Sequence, residues 1–258
     1  MAINPASAIE IEKVTSPGGI EAWLVSESAV PLVSMQFAFD GGAAQDPADK
    51  PGVANLVSVL LDEGAGDLAS AECQERLDDV AAKMSFSAES DYFTGSLTTL
   101  ADRRDEAFDL FSLAVTAPRF DEEAVERIRA QIGTIVSRNR DSPDWIAANT
   151  WYKTALGDHP YALANEGTPE SIPRITRADL QDFAARVFAR DNMTIAVVGP
   201  LSAAELGPLL DRTFGALPEA ADHPSIPAVD IAHDVHFTVD APAFHHTLLL
   251  FLLYLLVR

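Results

Sequence analysis

The sequence predicts an α+β fold in which helices pack on one face of an antiparallel sheet. Three observations carry this. Roughly the first forty residues read as three strands in succession. Helical and strand patterns then alternate, with turn signals between them. Two helices late in the chain open on capping boxes.

Taken in order, residues 9–14, 20–26 and 32–39 are the opening strands, the first two joined by a Pro17-Gly18-Gly19 turn. Gly41-Gly42 and residues 47–52 form a loop into a short helix at 53–61. Ser70 is expected to cap a helix reaching about Lys83, followed by strands at 84–88 and 92–99. A helix over 101–115 is stopped by Ala117-Pro118. Asp121 then caps the longest helix, with Phe120 and Val125 as its hydrophobic staple. Its apolar stripe is Val125, Ile128, Ile132, Ile135 and Val136, a helical period. Thr176 and Asp179 start another helix, stapled by Ile175 and Leu180, and residues 193–198 read as a buried strand. Ser202 and Glu205 form a capping box between Leu201 and Leu206, opening a helix to about Phe214.

Composition sets the outer limits. A chain of 258 residues, 48% hydrophobic and 22% charged, has the length and balance of a globular protein with a large core. With 18 Lys and Arg against 39 Asp and Glu, its formal charge of −21 speaks against nucleic acid or an anionic membrane as partner and favours basic ones. Cys73 is alone, so no intrachain disulfide and no cysteine metal site can form; beside Leu77 and Val80 it reads as a small core residue. Residues 1–8 have neither a basic start nor an apolar core, so no leader is visible and a cytoplasmic location is expected, or a periplasmic one if a leader has been removed.

The chemistry turns on the segment from Gly52 to Gly66. Val53, Leu56, Val57, Val59, Leu60 and Leu61 make a helix apolar nearly all round, as a buried core helix would be. The later blocks Asp158-His159-Pro160-Tyr161 and Glu166-Gly167-Thr168-Pro169-Glu170-Ser171-Ile172 change that reading, as does the run from Ile175 to Gly199. Together, in this order and over roughly residues 8–218, these segments resemble the pitrilysin/insulinase family of zinc peptidases, the inverted zincins related to mitochondrial processing peptidase. The resemblance implies a processing-peptidase-like domain, a mostly antiparallel sheet with helices on one face.

Catalytic members of that family carry Gly-x-Ala-His-x-x-Glu-His on this helix. Laid over the chain, the first His falls on Asn55, the Glu on Ser58 and the second His on Val59. Positions 55 and 59 are one helical turn apart, so imidazoles there would grip one ion, and a Glu at 58 would take a proton from metal-bound water. The family's third ligand, a Glu on a later helix, falls on Gly133 in the run Glu126-Arg127-Ile128-Arg129-Ala130-Gln131-Ile132-Gly133. Val59 and Gly133 offer no lone pair, Asn55 is a poor zinc donor, and Ser58 cannot act as a base near neutral pH. No catalytic, metal-binding or cofactor-binding residue is therefore assigned, and no cofactor is expected in this chain.

After Leu217, Pro218, Pro224 and Pro227 stand among small and acidic residues. The expected organisation is a peptidase-like domain at 1–217, a linker at 218–234 and the opening of a second domain at 235–258. The family places its helper chain's substrate-contacting Arg and Tyr in that second domain. The ten apolar residues 248–257 are too few to span a bilayer, which needs about twenty. His233, His236, His245 and His246, with His223 upstream, lack the Asp, Glu or Cys pattern of a metal site, and His159 reads as a loop brace.

The resemblance implies three functional readings. In the first, an inert subunit pairs with a homologous zinc-bearing subunit to form a chamber that degrades or processes peptides. In the second, the chain is a structural subunit of a larger complex. In the third, it is an active zinc peptidase with other ligands.

Overall fold

The computed structural model describes residues 10–229. Its main sheet has six strands: β1 (Glu12–Thr15), β2 (Glu21–Ser26), β3 (Leu32–Asp40), β6 (Lys83–Ala88), β7 (Tyr92–Leu100) and β8 (Met193–Gly199). They lie in the order β1-β2-β8-β3-β7-β6, and every neighbouring pair is antiparallel except β2 with β8. A two-stranded hairpin, β4 (Gly64–Ala65) with β5 (Leu68–Ala69), stands apart from it. The helices are α1 (Val53–Leu60), α2 (Ser70–Asp79), α3 (Arg104–Thr116), α4 (Glu122–Asn139), α5 (Pro143–Leu156), α6 (Arg177–Val187) and α7 (Ala203–Phe214). None of them is long and apolar enough to cross a membrane.

The sheet alternates, and that alternation decides where the helices go. On β3, Val33, Met35, Phe37 and Phe39 are buried while Gln36 is exposed. Phe93 and Leu97 on β7, Ile195 and Val197 on β8 and Leu24 on β2 line the same face. The helices close over it with Phe111, Phe183 and Phe214. Phe37 sits edge-on to Phe111 at 5.3 Å, and Phe39 stacks on Phe188 at 4.8 Å. Gly95 leaves the room these rings need, since a Cβ there would come within 2.3 Å of the Phe37 ring. The opposite face carries Ser34, Gln36 and Ala38 beside Thr94, Ser96 and Thr98, all half-buried or exposed among the described residues.

Several sequence expectations need correction. The 193–198 strand is buried on one face only, with Val198 44% exposed, because among the described residues the helices pack on just one side of it. Helix α2 stops at Asp79, short of Lys83, since Ala81 takes a positive φ of 48° and Lys83 already pairs in β6. Ser70 is its first helical residue rather than its cap, and its hydroxyl donates to Glu63. Asp121 precedes α4 but makes no capping bond, because Arg119 holds its carboxylate at 2.7 Å. Ile135 leaves the α4 stripe at 38% exposure. Helix α5 has no buried residue and thus no apolar stripe for the sequence to reveal, although Ser142 caps it and Pro143 occupies its first turn. Both late capping boxes form as expected, Thr176 with Asp179 and Ser202 with Glu205.

Residues 218–229 form no helix or strand yet are tied to the domain. Arg190 N–H donates to Pro218 O at 2.9 Å, Asp222 N–H to Arg186 O at 2.9 Å, and Gln45 Nε2 to Pro224 O at 3.0 Å. Residues 1–8, the 235–258 segment and His233, His236, His245 and His246 lie outside the described residues.

Candidate functional site

The site is built around α1, and its start is held by a residue that sequence reading passed over. Asp46 is buried, and its two carboxylate oxygens accept from Gly52 N–H at 2.7 Å and Ala54 N–H at 2.9 Å. Gly52 immediately precedes the helix at φ 102°, a conformation that favours glycine. An acidic group at a helix start answers unpaired N–H donors and the positive end of the helix dipole. Burial nevertheless pushes the Asp46 carboxyl up to about 7, against the lowering pull of the backbone N–H groups of Ala54, Gly52 and Val53. The only sequence trace of this cap is an acid before Pro47 in the loop, six residues ahead of Gly52.

The blocks that carried the family resemblance meet at this point. Ser171 Oγ donates to Pro51 O at 2.7 Å, and Arg174 Nη2 donates to Asp49 O at 2.7 Å. Lys50 pairs with Asp179, which completes the capping box of α6 with Thr176, at 2.8 Å. That partner and the Thr176 capping bonds hold the Asp179 carboxyl below its ordinary range although partial burial opposes them. Gly167 lies so close that a Cβ on Gly52 would come within 2.8 Å of its Cα. Stretches more than a hundred residues apart thus fix the direction in which α1 leaves its loop.

Helix α1 packs against α4, α6 and β6. Asn55 and Val59 are half-buried one turn apart, and Ser58 is buried with its hydroxyl donating to the Asn55 carbonyl at 2.8 Å. On the neighbouring α4, Gly133 is half-buried in open space, with Ile172 Cγ2 3.9 Å from where a Cβ would stand. The structure therefore brings the helix bearing positions 55, 58 and 59 against the helix bearing 133. It supplies an amide, a hydroxyl, an isopropyl group and a bare backbone. This donor set does not fit zinc, which takes imidazole, thiolate or carboxylate. Among the described residues, no three His, Cys, Asp or Glu side chains come together as a metal site requires.

The His-Pro-Tyr block braces its loop. His159 Nδ1 accepts from Tyr161 N–H at 3.1 Å, which leaves Nε2 to donate to Pro227 O at 3.0 Å in the neutral ring. Tyr161 OH donates to Asp91, a bond that raises its own pKa. His223 faces Asn192 Nδ2 at 3.3 Å. These two histidines hold the segment after Leu217 against the domain.

Comparison with known proteins agrees with the geometry. The insulinase (peptidase family M16) pattern matches residues 23–168, and the peptidase M16 inactive domain matches residues 174–254. The chain is 24% identical over 190 residues to a non-peptidase homolog, YmxG, of Helicobacter pylori, covering 74% of this chain and 44% of that protein. It is 24% identical over 213 residues to an uncharacterized zinc protease of Mycobacterium tuberculosis, covering 83% and 49%. To the bovine cytochrome b-c1 complex subunit 1 it is 20% identical over 203 residues, covering 79% and 42%. The chain thus spans about half the length of the curated relatives it matches. Among solved structures, a peptidase M16 inactive domain from Pseudomonas fluorescens superposes with a TM-score of 0.80 at 28% identity, covering 86% of this chain and 54% of that one. With more than half of its length matched and the same fold, the chain belongs to the insulinase family, peptidase family M16.

Proposed function

We propose that this chain is a catalytically inert, peptidase-like subunit that pairs with a zinc-bearing homologue to form a chamber for degrading or processing peptides. One observation carries the reading. The α1–α4 pair is held in place by a buried carboxylate and by the 166–179 block, while the resemblance puts the family's ligands and base at Asn55, Ser58, Val59 and Gly133. A scaffold kept without its donors suits a role in building a chamber wall. The names of the Helicobacter and Pseudomonas relatives point the same way. On this reading zinc belongs to the partner, and the loss of all three ligand positions together with the base weighs against hydrolysis by other ligands here. The proposed organisation is a peptidase-like domain at 1–217, a linker at 218–234 and the opening of a second domain at 235–258.

A second reading, a structural subunit of a larger complex, draws support from the likeness to a cytochrome b-c1 subunit. Co-expression separates the two. The chain is produced with and without a homologue from the same genome that carries His-x-x-Glu-His, and association and peptide hydrolysis are measured. A chamber partner co-purifies, shows no hydrolysis alone and raises the homologue's rate. Association without a change in rate supports the structural reading. Chelator-sensitive hydrolysis by this chain alone would overturn both.

A further inference from the structure

Away from the α1–α4 site, a cleft of about 720 Å³ opens between the β4–β5 hairpin, α2 and α3. Its apolar wall is made by Leu68, Val80, Leu110 and Leu113, of which Leu68 and Leu113 are only half-buried. The hairpin side is fixed in place: Gly66 N–H donates to Ala117 O at 2.9 Å, and Arg119 N–H donates to Gly64 O at 3.1 Å. Gly66 takes a φ of 55°, and a Cβ there would stand 3.0 Å from Leu113 Cδ2, so hairpin and helix meet as closely as a glycine allows. The cleft is therefore preformed.

Its rim is acidic. From α2, the acid Asp79 and the cation Arg76 line it, while Glu72, Glu75 and Asp78 lie elsewhere on the same helix; within the described residues none of these five side chains is in a salt bridge. Asp67 at the hairpin tip is exposed and also lacks a salt bridge. The two carboxylates that α3 adds differ, since Arg103 lies 3.5 Å from Glu106 and Arg212 lies 2.8 Å from Asp109. Asp67 on the hairpin and Asp79 on α2 thus stand without salt bridges beside half-buried leucine, with Arg76 the one cation among the lining residues.

We propose that this cleft docks a basic amphipathic segment of a partner protein, one that buries an apolar side chain on Leu68 and Leu113 with Lys or Arg facing Asp67 and Asp79. The charge argues for this occupant over a second copy, because two chains of formal charge −21 repel. The same charge disfavours an anionic lipid surface or nucleic acid.

The test uses the intact chain and a fluorescent helical peptide of leucine and lysine at amphipathic spacing. Two control peptides replace every lysine by glutamate or every leucine by serine. Anisotropy is read at low salt. The leucine–lysine peptide should bind and both controls should fail. The paired change Asp67→Lys and Asp79→Lys, at exposed positions, should weaken binding about tenfold or more, while Glu10→Lys with Asp158→Lys should change it by less than about twofold. Leu68→Ser should also weaken binding. No binding, equal binding of the serine peptide, or an equal loss in the Glu10 and Asp158 variant would overturn the proposal.

Discussion

At the scale of single residues, Asp46 is the group on which α1 depends, and its environment sets a pH dependence. Its folded pKa of about 7 lies above the ordinary 3.8, so the folded state binds this proton more tightly than the unfolded chain. The stability it contributes is therefore complete below about pH 4 and lost as pH rises through about 7. A shift of this size corresponds to something on the order of 4 kcal/mol across the window. Asp46→Asn should abolish that component, so urea unfolding from pH 4 to pH 8 should show a shallower fall in stability than in the parent chain. Parallel profiles would mean that Asp46 does not titrate where burial places it. Beyond an acid before Pro47, nothing in the sequence marked this residue, because its partners are backbone N–H groups whose position depends on the finished fold. Asn55, Ser58, Val59 and Gly133 were placed by laying a family motif over the chain, and the two helices that bear them do pack together.

At the scale of elements, what the sequence revealed depended on whether local chemistry controlled the outcome. The boxes at Thr176 and Ser202 are closed by side chains three residues away, and both were legible. Asp121 has the same residue type at a helix start, but a competing partner two residues back, Arg119, takes its carboxylate. Helix α5 went unread because it buries nothing and so leaves no period to detect. Helix α4 offers a direct test of element stability. Gly133 lies inside it, and an added Cβ would meet only Ile172 Cγ2, at an ordinary contact distance of 3.9 Å. Gly133→Ala should therefore stabilise the chain by roughly 0.5–1 kcal/mol, raising the urea midpoint with little change in slope. A loss of stability would show that α4 needs glycine there for a reason its packing does not reveal.

At the scale of the molecule, the antiparallel sheet with helices on one face followed from the order of strands and helices, whereas the parallel β2–β8 pairing did not. That pairing joins segments about 170 residues apart, and no turn or periodicity signals it. The meeting of the 47–52 loop with the 166–179 block is equally non-local, although both stretches were already marked as one family's motifs. On the proposed reading, the whole molecule is a peptidase frame that keeps its helices and lacks its donors. Its most direct test is the zinc content per chain after dialysis, for the parent protein and for the combined variant Asn55→His, Ser58→Glu, Val59→His and Gly133→Glu. Buried Ser58 makes the glutamate costly without metal, so the variant should be less stable as apoprotein and regain stability with zinc. The parent should hold far less than one zinc and the variant about one, as three protein ligands at a catalytic-type site allow. Stoichiometric zinc in the parent that survives loss of its linker histidines, or none in the variant, would contradict the account.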